Sequence, residues 1–258
     1  MILKKNQINI KKFRKNLKLK RVLLGGWMQI SNPDLTELVC DSNYSWVAFD
    51  MEHGSFSISD LPNLFRSVEL YNKLTFVRLP NKRVDLCAQV LDAGCSGIII
   101  PNIKNKKELK KIIDNMYLPP LGSRGVGYSR ANNYGKKFEE YKIQKEKPII
   151  VPMIENIESV KKLDEIISVK GVDAILIGPY DLSASLGITG KFNNAKFKNA
   201  INKIRTIAKK FKMPLGIHVV NPDYKNLKKF IKSGYQFIPY GTDTSLINMS
   251  IKKAFKRK

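Results

Sequence analysis

Apolar runs and amphipathic segments alternate eight times between Arg21 and Phe255, and no other feature of the chain restricts its fold so strongly. A short apolar run is the mark of a strand covered on both faces. A segment with helical apolar spacing that follows it must cross back over the sheet, so the repeat specifies parallel βα units. The strand runs are Arg21 to Ile30, Trp46 to Asp50, Leu74 to Leu79, Ser96 to Pro101, Pro148 to Ile154, Val172 to Ile177, Pro214 to Val219 and Tyr235 to Tyr240. The first crossover opens at Ser31-Asn32-Pro33-Asp34, where an Asn or Ser cap and an early Pro suit a helix start. Helices are then expected over Ile58 to Tyr71, Val84 to Ala93, Lys106 to Met116, Ile157 to Ile167, from the Gly187 to Asn194 turn region to about Lys212, Asp223 to Lys232 and Asp243 to Phe255.

Eight consecutive units in a chain of 258 residues close into a barrel more readily than they spread into an open sheet. No glycine-rich dinucleotide fingerprint or P-loop follows the first strand, which weighs against a doubly wound nucleotide-binding sheet. The expected architecture is an α/β fold: one (β/α)8 barrel over residues 21–258 behind a basic N-terminal arm at 1–20. The rhythm breaks once, after the fourth unit, from Leu118 to about Lys147. Pro119-Pro120, Gly122, Gly125, Gly127 and Gly135 exclude a regular helix there, while Arg124 and Arg130 are interspersed. Long irregular insertions in compact domains are mostly functional loops or lids. The polar end, Lys136 to Lys147, leaves a disordered connection as the other reading.

The formal charge of +24 raises the question of a polyanionic partner. Lys11-Lys12-Phe13-Arg14-Lys15 through Lys18, Lys20 and Arg21 would suit nucleic acid or an anionic membrane. Lysines nevertheless recur along the whole chain, as at Lys104-Asn105-Lys106-Lys107, Lys161-Lys162, Lys209-Lys210 and Lys252-Lys253, always beside helical apolar positions. Solvated helix faces account for that distribution, and no specific nucleic-acid partner is expected. No window approaches the roughly 18 apolar residues of a membrane span. The start leads into lysines and not into an apolar signal core, and Cys40, Cys87 and Cys95 show neither metal spacing nor an even disulfide set. A soluble cytoplasmic protein is expected.

The polar residues concentrate at one set of strand ends. Asp50, Glu52 and His53 follow the second strand, Arg78 ends the third, Glu155 ends the fifth, and Asp181 follows the sixth. In a barrel these lie on the C-terminal rim, where chemistry is built. Two carboxylates from neighbouring strands suit a hard divalent cation such as Mg²⁺. Arg78 offers a permanently protonated fork for a carboxylate or a developing oxyanion, and an imidazole moves protons near neutral pH. Each residue also has a duller role. His53 caps a turn, Glu155 sits in a first helical turn, Asp181 is an N-cap, and Arg78 pairs with Asp50 structurally.

Six stretches taken in order resemble a known family. Phe49-Asp50-Met51-Glu52-His53-Gly54, Val77-Arg78-Leu79-Pro80, Leu91-Asp92-Ala93-Gly94, Gly122-Ser123-Arg124-Gly125-Val126-Gly127, Ile154-Glu155 and Ile177-Gly178-Pro179-Tyr180-Asp181-Leu182-Ser183 look like motifs of the class II, metal-dependent pyruvate aldolases. These are the 4-hydroxy-2-oxoheptanedioate and 2-dehydro-3-deoxyglucarate aldolases, within the wider aldolase and citrate lyase family. The resemblance runs from about Gly25 to Leu246. It implies Glu155 and Asp181 as ligands of Mg²⁺, Mn²⁺ or a similar ion such as Co²⁺, His53 as proton acceptor and Arg78 as stabiliser of the enolate. It also implies Asp92 as a carboxylate that raises the basicity of the histidine, the backbone at Tyr180 as a site for the substrate carboxylate, and Asp50 and Glu52 as support. One departure is Met153, where members commonly carry a glutamine that contacts substrate. A thioether donates no hydrogen bond, so the acceptor aldehyde or its hydroxyl pattern should differ.

The reaction so implied is reversible cleavage of a 4-hydroxy-2-oxo acid to pyruvate and an aldehyde, without a lysine Schiff base. A related carbon–carbon condensation, such as citrate formation, is the enzymatic alternative. A basic anion- or nucleic-acid-binding barrel without catalysis is the alternative of another class. Asp92 falls at the end of the third crossover helix, near the opposite rim from His53, and a hydrogen bond needs about 3 Å. A homo-oligomer in which Asp92 reaches the histidine of a neighbouring subunit reconciles motif and topology.

Overall fold

The computed structural model describes residues 2–81, 83–143 and 146–255. Met1 of the basic arm, positions 144–145 of the long loop and the last three residues lie outside it. In chain order the elements are α1 (Ile2–Lys18), β1 (Leu23–Met28), α2 (Pro33–Cys40), β2 (Trp46–Asp50), α3 (Leu61–Leu70), β3 (Leu74–Arg78), α4 (Val84–Asp92), β4 (Gly97–Ile100) and α5 (Lys106–Asp114). A single turn at Arg130–Asn132 and α6 (Phe138–Ile143) follow, then β5 (Ile149–Ile154), α7 (Ile157–Lys161), α8 (Leu163–Ile167), β6 (Ile175–Ile177) and α9 (Pro179–Ser185). The chain continues through α10 (Ala195–Lys210), β7 (Leu215–Ile217), α11 (Tyr224–Lys232), β8 (Phe237–Thr242) and α12 (Asp243–Ala254). All eight strands pair in parallel with their sequence neighbours, and β1 closes on β8.

The helices start where side chains satisfy their first amides. Asn32, Asn105, Asn156, Asn194, Asp223 and Thr242 each accept a backbone N–H in the first turn of α2, α5, α7, α10, α11 and α12. Three expectations from the sequence need correction. The helix expected over Ile58 to Tyr71 is confined to Leu61–Leu70, because the side chain and backbone of Ser57 are tied to Asp60 in a turn. The segment Ile157 to Ile167 is two short helices that meet at Lys162. Asp181 does not cap a helix but lies in the first turn of α9, whose cap position is Gly178 and which precedes the expected α10.

Side chains alternate across each strand, so every second residue points into the barrel. On β2 these are Trp46, Ala48 and Asp50, and on β3 they are Leu74, Phe76 and Arg78, so the interior is apolar until its last rung. Trp46 stacks on Phe237 with ring centroids 4.2 Å apart and lies 4.9 Å from Phe76. Glycine makes this filling possible: a Cβ at Gly25 would overlap the Trp46 indole, and one at Gly97 would overlap the Phe76 ring. Outside the strands a second apolar layer joins sheet to helices, with Cys40, Cys87 and Cys95 buried as free thiols.

The basic segment before β1 is largely the helix α1, which packs on the barrel. Ile10, Phe13 and Leu17 recur at helical spacing and are buried, with Phe13 5.7 Å from Phe76 and 6.3 Å from Phe237. Polar latches fix α1 across the N-terminal mouth of the barrel. Arg14 donates to Asp173 from Nε at 2.7 Å and Nη2 at 3.1 Å, and to Pro148 O at 3.0 Å, and Gln236 donates to Leu17 O at 2.8 Å. No helix among the described residues is long and apolar enough to cross a membrane.

Candidate functional site

The last inward rung of β2 and β3 consists of Asp50 and Arg78, which face each other directly in the strand register. Arg78 donates to Asp50 from Nε at 2.7 Å and from Nη2 at 2.5 Å, a bidentate pair with both partners buried. Trp27, inward on β1, donates its indole N–H to the same carboxylate at 3.1 Å. The chain turns sharply after β2 so that the backbone N–H groups of Glu52 and His53 also reach Asp50, at 3.1 and 3.2 Å. Burial alone would push the Asp50 carboxyl up; the Arg78 bonds, its charge, the indole and the His53 amide outweigh that and hold it below the ordinary carboxylate range. Arg78 also meets Glu52 through Nη1 at 3.1 Å. Three of its five N–H groups are thus accounted for by carboxylates.

Glu155 continues the inward series of β5 and is buried at the rim. Its carboxylate accepts the backbone N–H of Asn102, which is turned toward it by a left-handed backbone (φ 51°) just after β4. A Cβ at Gly178 would lie 2.9 Å from Glu155 Oε2 and 3.2 Å from Met153 Cε, so glycine there lets both side chains approach β6. Asp181 is exposed on α9, within electrostatic reach of Glu155 and Glu52. Burial pushes Glu155 up to about 7; the Asn102 amide and Arg78 oppose this, and Asp181 and Glu52 reinforce it. Glu52 is raised in the same direction, first by burial. The rim is therefore a cluster of three carboxylates answered by one guanidinium already engaged by Asp50. Among the described residues no three His, Cys, Asp or Glu side chains converge closely enough to hold a metal ion alone. A cation here would rest on Glu155 and Asp181 with water or substrate oxygens completing its shell.

The structure thus brings together Asp50, Glu52, Arg78, Met153, Glu155 and Asp181. His53 stands exposed at the lip of the same turn, and Tyr180 is 47% exposed at the start of α9, its ring against Phe192. Asp92 is elsewhere: it ends α4, half-buried, with Arg124 at 3.9 Å. Two contributors escaped the sequence reading. Asn102 serves through its backbone, which no side-chain motif reveals. His218 follows β7 and stacks on Trp27 at 4.2 Å, its Nε2 buried without a hydrogen-bond partner among the described residues. Burial, reinforced by Arg78, pushes its pKa down to about 3, so the imidazole beneath the rim is neutral. The period-two alternation through Gly216 is the signal that would have placed it inside.

The sequence profile of the HpcH/HpaI aldolase/citrate lyase family matches residues 23–249. The chain is 26% identical over 250 residues to a hydroxypyruvate/pyruvate aldolase of Pseudomonas aeruginosa, covering 95% of this chain and 91% of that one. It is 28% identical over 249 residues to a 5-keto-4-deoxy-D-glucarate aldolase of Escherichia coli O6:H1, covering 96% of each. A crystal structure of an aldolase/citrate lyase family protein from Burkholderia cenocepacia J2315 superposes with a TM-score of 0.89 at 23% identity, over 94% of this chain and 97% of that one.

Two outcomes follow from the electrostatics. Asp50→Ala leaves a buried guanidinium without its main partner and should cost about 3–5 kcal/mol in denaturant unfolding, whereas Asp50→Asn, which retains acceptor capacity, should cost less. Glu155 has a folded pKa above its unfolded one, so its contribution to stability is full at acid pH and is lost as pH rises toward about 7. In metal-free protein, thermal melting should show a loss of stability between about pH 5 and 8 that Glu155→Gln removes.

Proposed function

Because the chain belongs to the HpcH/HpaI aldolase/citrate lyase family, we propose that it is a metal-dependent carbon–carbon lyase that cleaves a 4-hydroxy-2-oxo acid reversibly to pyruvate and an aldehyde. The observation that carries this reading is the rim itself: Glu155 and Asp181 on adjoining β5 and β6 units, across from an Arg78 that Asp50 holds in place.

The donor set fits a divalent cation. Hard carboxylate oxygens repel one another there, and a buried Glu155 pushed up to about 7 is a carboxyl that lacks a counter-charge. Glu155 and Asp181 would hold Mg²⁺, Mn²⁺ or Co²⁺, which when bound supplies Lewis acidity toward the 2-oxo group. The remaining steps belong to the chain. Arg78 directs its two uncommitted N–H groups at the oxyanion that develops as the C3–C4 bond breaks, and its bidentate anchor to Asp50 spares it reorganisation during the reaction. His53, at the solvent side of the turn, takes the proton of the 4-hydroxyl. The amides at the start of α9, by Tyr180, orient the substrate carboxylate. Met153, buried beside Gly178, offers the aldehyde portion an apolar contact where a glutamine would donate a hydrogen bond, which favours aldehydes without a hydroxyl at that place. A cytoplasmic setting belongs to the same proposal.

The test is pyruvate release from a panel of 4-hydroxy-2-oxo acids. Glu155→Gln with Asp181→Asn should retain the wild-type far-UV spectrum and lose activity by at least about a hundredfold, and chelation should do the same to the wild type. Equal rates in chelator and in added metal, or a pyruvate adduct trapped on a lysine by borohydride, would overturn the metal–enolate reading.

Asp92 enters this scheme only through a second subunit, because in its own chain it keeps company with Arg124 near the α4 terminus. The proposal is a homo-oligomer whose sites are completed across subunit interfaces. Inactive His53→Ala and Asp92→Ala proteins, mixed and reassembled, should regain part of the activity in hybrid sites. A fully active monomer in sedimentation would exclude sharing.

A further inference from the structure

At the end of the barrel away from the rim, a cavity of about 890 Å³ opens between α1, α10 and the turns that lead into β7 and β8. Lys18, Lys20, Arg205, Lys209 and Lys212 surround it. Arg14 also lines it but is spent on Asp173, the sole carboxylate of the lining, and on Glu146, 3.2 Å away just outside it. Among the described residues, Lys18, Lys20, Lys209 and Lys212 make no ion pair, and Arg205 gives only a 3.2 Å bond to Ser233 O. The lining thus carries six cations against one carboxylate, a net of five, whereas over the chain the ratio of cations to carboxylates is 46 to 22. Val22, Met213, Leu215 and Tyr235 give the same lining an apolar component.

Two bland explanations fall short. Helices α1, α10 and α11 all end here, and a helix C-terminus attracts cations, but each supplies only about half a negative charge, some 1.5 in all. Counting Glu146 beside Arg14 as well, about two to three positive charges remain uncompensated. A general lysine bias of the sequence does not explain where the backbone puts these lysines. Lys20 (φ 57°) and Lys212 (φ 52°) sit in the left-handed region, which ordinarily favours Gly or Asn. The other non-glycine residues in that conformation among the described residues are Asn72, Asn81, Asn102, Asn133 and Tyr134; both left-handed lysines line this one cavity.

We propose that this cavity is a binding site for a polyphosphate anion with an apolar or aromatic portion, of the size of a nucleoside di- or triphosphate. The volume lies within the usual range for small-molecule sites, and a lining that is both cationic and apolar matches the two ends of such a ligand. Concavity favours a small ligand over a duplex, whose phosphates lie on a convex surface. The inference is independent of the aldol reaction.

The experiment is calorimetric titration of the full chain with ATP, at physiological ionic strength and without divalent cation, so that the rim is not involved and diffuse attraction is screened. Saturable binding at one site per chain is expected. Lys18→Glu with Lys209→Glu should weaken it by at least about tenfold, and Lys107→Glu with Lys110→Glu, an equal change of net charge on the outer face of α5, should leave it within about twofold. Inorganic tripolyphosphate should bind less tightly than ATP. If the double reversal fails to fold, Lys18→Gln with Lys209→Gln should still weaken binding more than the α5 control. Absence of saturable binding, equal losses in both charge-reversed proteins, tripolyphosphate binding as tightly as ATP, or preferential binding of duplex DNA would each overturn the proposal.

Discussion

A guanidinium and a carboxylate taken almost wholly out of water are tolerable only if each of their nitrogens and oxygens finds a partner, and the Asp50–Arg78 pair meets that condition by recruiting three separate strands. The register of β2 on β3 sets the two groups opposite each other. The indole of Trp27 reaches in from β1 to one oxygen, and the chain beyond β2 bends back so that two of its amides point at the other oxygen of the same carboxylate. The bend is what stations His53 at the lip and brings Glu52 to Arg78. The geometry of the rim is therefore set by the need to satisfy one buried carboxylate. Glu155, anchored separately by the Asn102 amide, is the group whose own needs this framework leaves unmet.

The two ends of the barrel solve different problems. Below the Asp50–Arg78 rung the interior holds bulky rings made possible by small residues on neighbouring strands, and α1 closes the far mouth with Phe13 against those rings. Packing of that density resists deformation and gives the rim a stiff floor. His218 lies where the regimes meet, its ring packed as an aromatic on Trp27 and its nitrogen unanswered.

What was legible in the sequence was what local periodicity encodes. Eight strands, their order and the rim position of Asp50, Arg78, Glu155 and Asp181 follow from alternation and chain order alone. Features set by distant partners were not legible. The apolar face of α1 is interrupted by so many lysines that its burial shows only once the barrel mouth exists to receive it. The division at Lys162 and the extra turn of α9 leave no trace in composition, because Pro and Gly at 178–179 suit a loop as readily as a helix start. Asn102 acts through an amide that every residue but proline possesses, so only its backbone angle marks it.

The latches of α1 also impose an order of events on the chain. Arg14 closes on Asp173, 159 residues later, and Leu17 receives Gln236, 219 residues later. During synthesis α1 therefore meets these two partners only after most of the barrel has been made. Phe13 can meet Phe76 of β3 early, but its contact with Phe237 and the closure of β1 on β8 wait for the last strand, and pairings of such long range form slowly. The seat of α1 is completed only with the last strand, so part of its apolar face stays uncovered through most of the elongation of the barrel.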